Sequence, residues 1–318
     1  MPEHIVIIGG GHAGGVAAIT LRELGFSGSV TIVGEEAHAP YERPNLSKGF
    51  LCGEEPSPVW LAPEERWTAL DVTLKTSNPA VRIDREGAKV ELADGSSLPF
   101  DALVLATGGR VRPLPLPHHA CIHYIRTTDD AIGLAAKAKA GARALIVGGG
   151  VIGLEAASTL KGMGLSTVVV EANERLLGRN IPAEAAQWLA DAHARTGIDI
   201  RLGRAVSSLS DNSDGSVTAT FDDATTQDFD LVVVGIGIIP NTGLAETSGL
   251  SVQGGIVVDD DYRSPDDARI FAIGDVAARQ GSRMETWAHA QSSARKAALA
   301  ILQQPQEAEP VPWFWTDQ

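Results

Sequence analysis

Short runs of apolar residues that end in glycine dominate the hydrophobic pattern of the chain. Residues 5–8 and 144–147 are uninterrupted apolar runs, and each leads into three glycines. A helix-compatible stretch follows each run, at 15–24 and at 154–164. Continuous apolar strands are expected in a parallel sheet that is covered on both faces. The pattern therefore predicts an internal repeat of a strand, a glycine-rich turn and a helix.

Alternating segments complete each copy of this repeat. Residues 80–83 and 89–92 alternate between apolar and polar and are joined by the polar turn 84–87, which predicts an antiparallel ribbon. Residues 217–221 alternate in the same way in the second half. Further buried strands that run into glycine are predicted in 103–109, 230–237 and 270–275, and a helix at 285–302. The fold class is therefore α/β, built from two similar units.

The first glycine turn fits the fingerprint GxGxxG through Gly9, Gly11 and Gly14. The first glycine permits the tight turn, the second lets a pyrophosphate approach the backbone, and the third lets the helix pack on the strand. Glu35 ends the next strand, about 20 residues further on, where an acid that binds ribose is expected. This spacing predicts a dinucleotide site and makes a merely glycine-rich turn the weaker alternative.

The second glycine turn repeats the fingerprint through Gly148, Gly150 and Gly153, and Glu171 ends the strand that follows. A carboxylate at that position accepts hydrogen bonds from ribose hydroxyls and repels a 2′-phosphate, so this site is expected to prefer NADH over NADPH. Two fingerprints imply two dinucleotides or one site with a decayed copy. Since both are intact, we favour two, and the pair expected for hydride transfer is NADH and FAD.

Composition narrows the class further. The 318 residues include 26 Lys and Arg against 40 Asp and Glu, a formal net charge of −14, which argues against nucleic-acid binding. We find no secretory signal and no apolar run of membrane-spanning length, so we expect no membrane association and a cytoplasmic location. Cys52 and Cys121 lie too far apart for a CxxC pair and are expected to be reduced. No metal site is predicted.

Several ordered motifs then carry a family resemblance. They are PYERPNLSK at 40–48, ATGGR at 106–110, YIRT at 124–127, GIGIIPN at 235–241, AIGD at 272–275 and PWFWTDQ at 312–318. Together they resemble the ferredoxin reductases of bacterial oxygenase systems, of the putidaredoxin reductase and biphenyl dioxygenase reductase type. These enzymes belong to the FAD-dependent pyridine nucleotide-disulfide oxidoreductases. The resemblance extends over the whole chain.

The resemblance implies two Rossmann-like domains of the glutathione reductase type, each with three layers in the order ββα. It divides the chain into a first FAD-binding part at 1–111, an NAD-binding domain at 112–239 and a second FAD-binding part at 240–310. Residues 311–318 would begin a further C-terminal α/β domain, which the family has and which this sequence does not contain. We expect the chain to be a truncated form in this respect.

The resemblance also assigns residues to FAD. Those implied are Gly9, Gly11, Ala13, Gly14, Glu35, Arg43, Lys48, Ala80, Thr107, Gly108, Arg126, Gly274, Asp275, Trp287 and Trp315. Asp275 also suits a helix N-cap, a role compatible with binding the ribityl chain. The two tryptophans also suit simple core packing.

On the NADH side, the implied residues are Gly148, Gly150, Ile152, Gly153, Glu155, Glu171, Arg179, Gly237 and Glu285. The resemblance pairs Lys48 with Glu155 beside the flavin as the catalytic pair, where a lysine would stabilise negative charge on the reduced ring. The alternative for Glu155 is an acid placed in the first turn of a helix for its dipole.

The function that this resemblance implies is electron transfer from NADH through FAD to a [2Fe-2S] ferredoxin or a rubredoxin-like carrier that serves an oxygenase. The absence of a vicinal dithiol agrees with electrons leaving the flavin singly. Two alternatives stay open: an NADH oxidase that forms peroxide, and a slow redox sensor of the apoptosis-inducing-factor kind. The oligomeric state is open between a monomer and a homodimer.

Overall fold

The structure is a computed structural model that describes residues 2–178, 180–308 and 310–318. Its α-helices in these ranges are α1 (His12–Glu23), α2 (Gly49–Cys52), α3 (Glu64–Ala69), α4 (Thr128–Lys137), α5 (Val151–Gly162), α6 (Ala183–Arg195), α7 (Gly243–Thr247) and α8 (Trp287–Ile301). Its strands are β1 (His4–Ile8), β2 (Ser29–Val33), β3 (Tyr41–Glu42), β4 (Val59–Trp60), β5 (Val72–Lys75), β6 (Ala80–Asp84), β7 (Lys89–Leu92), β8 (Ser97–Pro99), β9 (Ala102–Leu105), β10 (Gly109–Val111), β11 (Ile122–His123), β12 (Arg143–Val147), β13 (Ser166–Glu171), β14 (Asp199–Leu202), β15 (Val206–Asp211), β16 (Val217–Phe221), β17 (Thr226–Phe229), β18 (Leu231–Val234), β19 (Ile238–Pro240), β20 (Ile256–Val258), β21 (Ile270–Ala272) and β22 (Ala277–Arg279).

The chain divides into two compact units. The first unit comprises Met1–Glu42, Val59–Arg110 and Pro240–Phe314. The second unit comprises Arg43–Pro58, Val111–Ile239 and Trp315–Gln318. Residues 43–58, which the sequence prediction kept within 1–111, thus group with the second unit, because α2 packs against α4 and α5. Residues 311–318, predicted to be the start of a truncated domain, divide between the two units, and that assignment stays a prediction.

The first unit is built on a parallel sheet with the order β21-β9-β1-β2-β5. In β1, Ile5 pairs with Val30 on one side and with Ala102 on the other. Four of the five β1 residues are buried, as expected for a central strand covered on both faces. The apolar run at 5–8 therefore forms the centre of the sheet, as its pattern predicts.

Two further layers cover this sheet. The predicted ribbon forms as the antiparallel sheet β6-β7-β8, and its buried Ile83 and Val90 join the same core as the strands. Helices α1 and α8 pack against each other and contribute small buried residues such as Ala18 and Ala294. Small side chains allow the two helices to approach closely. The parallel sheet, the antiparallel sheet and the helices together make the three layers that the resemblance implies.

The second unit repeats the plan. Its parallel sheet has the order β11-β18-β12-β13-β14, and an antiparallel sheet β15-β16-β17 packs into the same core through Leu209, Val217 and Phe221. The strand β12 takes the central position that β1 has in the first unit. The internal repeat and the α/β fold class are therefore confirmed.

The two repeat helices begin three residues earlier than their patterns predict. Helix α1 begins at His12 and α5 at Val151, and their N-caps are Gly11 and Gly150. Glycine has low helix propensity, so the first turn of each helix is masked in the sequence by the fingerprint itself. The early start places backbone N–H groups of each helix directly at the glycine turn.

Candidate functional site

The first glycine turn is a cradle that has no room for side chains. Gly9 has a φ of +120°, and a Cβ added there would lie 2.1 Å from the carbonyl oxygen of Ala106. A Cβ on Gly14 would lie 2.0 Å from the carbonyl oxygen of Gly9. The N-cap Gly11 supplies no side-chain hydrogen bond to the N–H groups at the start of α1. A helix N-terminus without a side-chain cap fits a pyrophosphate.

Gly274 brings Asp275 to this cradle. The φ of Gly274 is +67°, and a Cβ there would lie 2.9 Å from the Cβ of Ala13. The Gly274 N–H donates to the hydroxyl of Ser293 on α8 at 3.0 Å, which fixes the turn. The structure thus joins two motifs that are about 260 residues apart in the sequence, and both are implied to bind FAD.

His12 is a site residue that sequence reasoning missed. Its side chain is 8% exposed, and neither ring nitrogen has a hydrogen-bond partner within the part of the chain that the structure describes. Burial lowers its pKa to about 4, an effect that the nearby Asp275 carboxylate partly opposes. Its ring centroid lies 5.0 Å from that of Trp287. An unsatisfied buried imidazole inside the cradle fits a bound cofactor that supplies the missing partner.

The signal that could have found His12 is its place between two fingerprint glycines.

Trp287, implied to lie near the flavin, contacts Trp313 with ring centroids 6.2 Å apart. Burial raises the pKa of the Glu42 carboxyl, and a hydrogen bond with Trp287 partly offsets this. The first unit therefore gathers aromatic and titratable side chains next to its glycine turn.

The end of β9 is locked to a second motif. The Thr107 hydroxyl donates to the Asn241 carbonyl at 2.8 Å, and the Asn241 side-chain amide donates back to the Thr107 carbonyl at 3.0 Å. The Asn241 N–H donates to the carbonyl of Gly108 at 2.9 Å. The predicted site residues Thr107 and Gly108 are thus held in place by a residue whose role the sequence did not indicate.

Two other predicted FAD residues, Glu35 and Ala80, also lie in the first unit. Glu35 is exposed just beyond β2, whose Val33 carbonyl accepts a hydrogen bond from the Gly9 N–H at 2.8 Å. The neighbouring Glu36 is occupied, because it accepts a hydrogen bond from the Tyr41 hydroxyl at 2.5 Å. Glu35 is therefore the acid left facing outward near the turn. Ala80 opens β6 and is half-buried.

The predicted residues Arg43, Lys48, Arg126 and Trp315 lie in the second unit. The Arg43 guanidinium donates to the backbone carbonyl of Arg126, so the structure brings these two together. Arg126 in turn donates its N–H to the Asp130 carboxylate at 3.0 Å. The indole of Trp315 is about one-third exposed.

Lys48 and Glu155 form the ion pair that the resemblance implies. The Lys48 Nζ lies 3.3 Å from the Glu155 Oε1, and Glu155 is only 2% exposed. Glu155 lies on α5, which also begins at the second glycine turn. The Ser47 hydroxyl donates to the other carboxylate oxygen of Glu155 at 2.6 Å. A buried carboxylate with these donors is compensated, and the lysine is held at a defined place.

The second glycine turn matches the first in detail. Gly148 has a φ of +110°, and an added Cβ would lie 2.5 Å from the Gly235 carbonyl oxygen. A Cβ on Gly153 would lie 2.0 Å from the Gly148 carbonyl oxygen. Among the described residues, the nearest atom to a Cβ added at Gly150 is the Gly235 carbonyl oxygen at 3.8 Å, which leaves space for a ligand. Ile152 in the same turn is 37% exposed. This turn also fits a pyrophosphate.

Glu171 is hydrogen-bonded to this turn. One carboxylate oxygen accepts the Gly149 N–H at 2.7 Å, and the other accepts the Asn173 N–H at 2.8 Å. Gly237 lies exposed beyond the end of β18 with a φ of +98°. Arg179, also predicted to bind NADH, lies outside the described residues.

Glu285 is placed differently from the other predicted NADH residues, because it belongs to the first unit. There it forms an ion pair with Arg283 at 2.7 Å.

The two cysteines are not among the predicted site residues. Cys52 is half-buried, Cys121 is buried, and burial raises the pKa of the Cys121 thiol. The described residues contain no group of His, Cys, Asp and Glu side chains able to hold a metal ion. None of the described helices is both long and apolar enough to cross a membrane.

Comparison with known proteins identifies the class. Residues 3–294 match the family model described as pyridine nucleotide-disulphide oxidoreductase. The chain therefore belongs to the pyridine nucleotide-disulphide oxidoreductase family, and it is an oxidoreductase. Membership implies FAD as the bound cofactor and NADH as the reductant, which the two glycine cradles fit.

Particular relatives sharpen this class. The chain is 39% identical to a probable ferredoxin reductase, CtmF, of Castellaniella defragrans over 99% of this chain and 80% of that protein. It is 38% identical to rhodocoxin reductase of Rhodococcus erythropolis over 99% and 75% of the two chains. The putidaredoxin reductase in its covalent complex with putidaredoxin superposes with a TM-score of 0.95 at 34% identity, covering 99% of this chain and 79% of that one. The resemblance to ferredoxin reductases of oxygenase systems is thus confirmed.

Proposed function

We propose that the protein transfers electrons from NADH through FAD to a small iron-sulfur carrier that serves an oxygenase. The observation that carries the proposal is the Lys48–Glu155 ion pair, built on the helix that begins at the second glycine turn. Relatives at 34–39% identity bear the names of ferredoxin, rhodocoxin and putidaredoxin reductases, which supports an iron-sulfur carrier as the acceptor.

The first unit would hold FAD. The glycine turn at Gly9, Gly11 and Gly14 would bind the pyrophosphate, and Glu35 the ribose. The cofactor would also contact Ala13, Gly274 and Asp275, where the first glycine turn and the AIGD motif lie next to each other. FAD, once bound, supplies the exchange between two-electron chemistry with NADH and one-electron chemistry with the carrier.

The second unit would hold NADH. Gly148, Gly150 and Gly153 would bind the pyrophosphate, and Glu171 would accept the ribose hydroxyls. The Glu171 oxygens already accept backbone N–H groups, which fixes the carboxylate close to the turn. A carboxylate there disfavours a 2′-phosphate, so the coenzyme is NADH rather than NADPH.

Lys48 would act through its charge. Its ammonium is one-fifth exposed and lies against a buried carboxylate, so it has a fixed position and a partly desolvated environment. A fixed positive charge in such a place stabilises negative charge that develops next to it more strongly than a mobile lysine in water does. Glu155 sets the position of Lys48, and Ser47 sets the position of Glu155.

The carrier is proposed to be a [2Fe-2S] ferredoxin or a rubredoxin-like protein, and the enzyme is proposed to act in the cytoplasm. The described cysteines do not form a vicinal pair, which supports single-electron exit over disulfide chemistry. A homodimer and a monomer are both compatible with this reaction.

The proposal is tested with the FAD-loaded protein in a cytochrome c assay with and without an added [2Fe-2S] ferredoxin. We expect reduction that depends on the ferredoxin, at least about tenfold higher kcat/KM with NADH than with NADPH, and little peroxide. Fast NADH oxidation that yields peroxide without a carrier would instead support the oxidase. Slow flavin reduction with a long-lived charge-transfer band would support the sensor.

A Lys48→Ala variant tests the site. We expect NADH to reduce its flavin at least about tenfold more slowly, because a fixed charge next to the reacting ring is lost. Lys139→Ala, which removes an exposed lysine of the same unit, is the matched control. Flavin reduction by Lys48→Ala at the unchanged rate would refute the role of Lys48.

A further inference from the structure

The last residues of the chain contact the Lys48–Glu155 pair. The Thr316 hydroxyl donates to the Glu155 Oε1 at 2.9 Å, the same oxygen that faces Lys48. The Asp317 carboxylate lies 3.4 Å from the Lys48 Nζ. Residues 315–318 belong to the second unit together with Lys48 and Glu155. We call Thr316 and Asp317 the terminal clamp.

The direction of the Thr316 hydrogen bond is fixed by its neighbour. A hydroxyl has one proton, and an ionised carboxylate only accepts. The Gln318 amide donates to the Thr316 hydroxyl at 2.7 Å, so the hydroxyl proton is left for Glu155. The Gln318 carbonyl oxygen lies 2.6 Å from the Nε2 of His193, a residue of α6 that is 4% exposed. The hydroxyl is thus oriented by a short polar chain that ends inside the unit.

Glu155 needs the donors that surround it. It is 2% exposed, and a buried carboxylate is costly unless its oxygens accept hydrogen bonds. One oxygen accepts from Ser47, and the other is shared by Lys48 and Thr316. Without the Thr316 hydroxyl, the carboxylate loses the neutral donor that sets the angle of its Oε1 toward Lys48.

The two clamp residues are expected to contribute unequally to holding the Lys48–Glu155 pair. Asp317 has a side chain that is 68% exposed, and an ion pair open to water contributes little. Thr316 acts on the buried member of the pair, where hydrogen bonds to charge are strong. The effect of the clamp is therefore expected to come mainly from Thr316.

We propose that Thr316 is a positioning residue for the NADH-dependent reaction, which orients Glu155 and through it the Lys48 ammonium. The inference rests on the proposed function of that pair. Thr316 contacts neither a coenzyme nor a reacting atom in this proposal, and it acts through Glu155. Asp317 adds a second, weaker anchor for Lys48.

The test compares Thr316→Val, which keeps the shape and removes the hydroxyl, with Thr316→Ser, which restores it. In stopped-flow measurements on the FAD-loaded protein, we expect Thr316→Val to slow flavin reduction by NADH about tenfold, the effect of one hydrogen bond to a charged group. Thr316→Ser should lie within about twofold of the parent, and so should Thr73→Val, an exposed threonine used as the control.

A double-mutant cycle with Glu155→Gln separates positioning from general damage. If Thr316 acts through Glu155, adding Thr316→Val to Glu155→Gln should change the reduction rate by less than about twofold. Gln318→Leu, which frees the Thr316 hydroxyl without altering Thr316, should slow the reaction in the same direction but less. This second variant serves where Thr316→Val does not fold.

Wild-type reduction rates in both Thr316→Val and Gln318→Leu would overturn the inference. An equal loss in the Glu155→Gln background would also overturn it, since that loss would not pass through Glu155. Because these rates concern NADH and flavin only, they are independent of the carrier. A failure of the proposed carrier reaction would therefore appear in the ferredoxin assay and not in this cycle.

Discussion

At the scale of single residues, His12 has a buried imidazole whose two nitrogens lack hydrogen-bond partners among the described residues. Its imidazole is enclosed beside Trp287, and burial holds its pKa at about 4 against an ordinary value of 6.5. In the folded, cofactor-free protein it is neutral at pH 7. In the unfolded chain it takes up a proton near pH 6.5. The unfolded state therefore binds more protons than the folded state between about pH 4 and pH 6.5.

This difference makes a pH prediction. Since the folded pKa is the lower one, the contribution of His12 to stability falls as the pH drops through 6.5 toward 4, and it costs about 2 kcal/mol at pH 5. We expect His12→Gln to remove that share. Urea unfolding of the cofactor-free protein at pH 7.5 and pH 5 should show a smaller loss of unfolding free energy in the variant than in the parent.

The control for this prediction is His118→Gln, which replaces an exposed histidine. Its loss between the two pH values should equal that of the parent. Equal losses in His12→Gln and the parent would show that the buried imidazole does not titrate as its burial requires.

At the scale of elements, the molecule depends on two glycine turns that each join a buried strand to a helix. The fingerprints are recognisable in the sequence because close backbone contact requires glycine there. A Cβ added at Gly14 or Gly153 would lie 2.0 Å from a backbone carbonyl oxygen. The sequence pattern places the starts of α1 and α5 three residues too late, because the glycines of each fingerprint weaken the helical pattern in the first turn.

Two glycines of α5 give a matched prediction. In Gly153→Ala the new Cβ would lie 2.0 Å from a backbone oxygen, so the turn must shift and we expect a loss of unfolding free energy of about 2 kcal/mol or more, with weaker NADH binding. In Gly162→Ala the new Cβ would meet no other part of the described structure within 4 Å, so we expect a gain of about 0.5 kcal/mol from helix propensity. Thermal unfolding and NADH titration measure both. Equal stability of the two variants would contradict the close contact at Gly153.

At the scale of the whole molecule, the charge balance bears on the docking of the proposed carrier. The formal net charge of −14 repels an acidic ferredoxin at long range. Fast docking then requires a local basic surface that overcomes the overall field.

The salt dependence of the reaction tests which effect prevails. If the overall field dominates, kcat/KM for an acidic ferredoxin should rise about threefold between ionic strengths of about 10 mM and 150 mM, because salt screens repulsion. A neutral quinone acceptor is the control and should show little change. A rate that falls with salt would contradict this and indicate a basic docking patch.

Local sequence patterns are enough to predict the α/β class, the repeated unit and the two dinucleotide turns, and the family resemblance implies the Lys48–Glu155 pair. Apolar runs and glycine spacing act over a few residues, and the family motifs carry their own spacing, so no tertiary information was needed for these features.

Which distant residues meet is set by the tertiary structure. It placed Gly274 against Ala13, joined Asn241 to Thr107, and grouped residues 43–58 with the second unit. It also revealed the buried imidazole of His12 and the hydroxyl of Thr316 on Glu155. The physical reason is that burial and hydrogen-bond partners are set by packing between segments far apart in the chain, which no local pattern records.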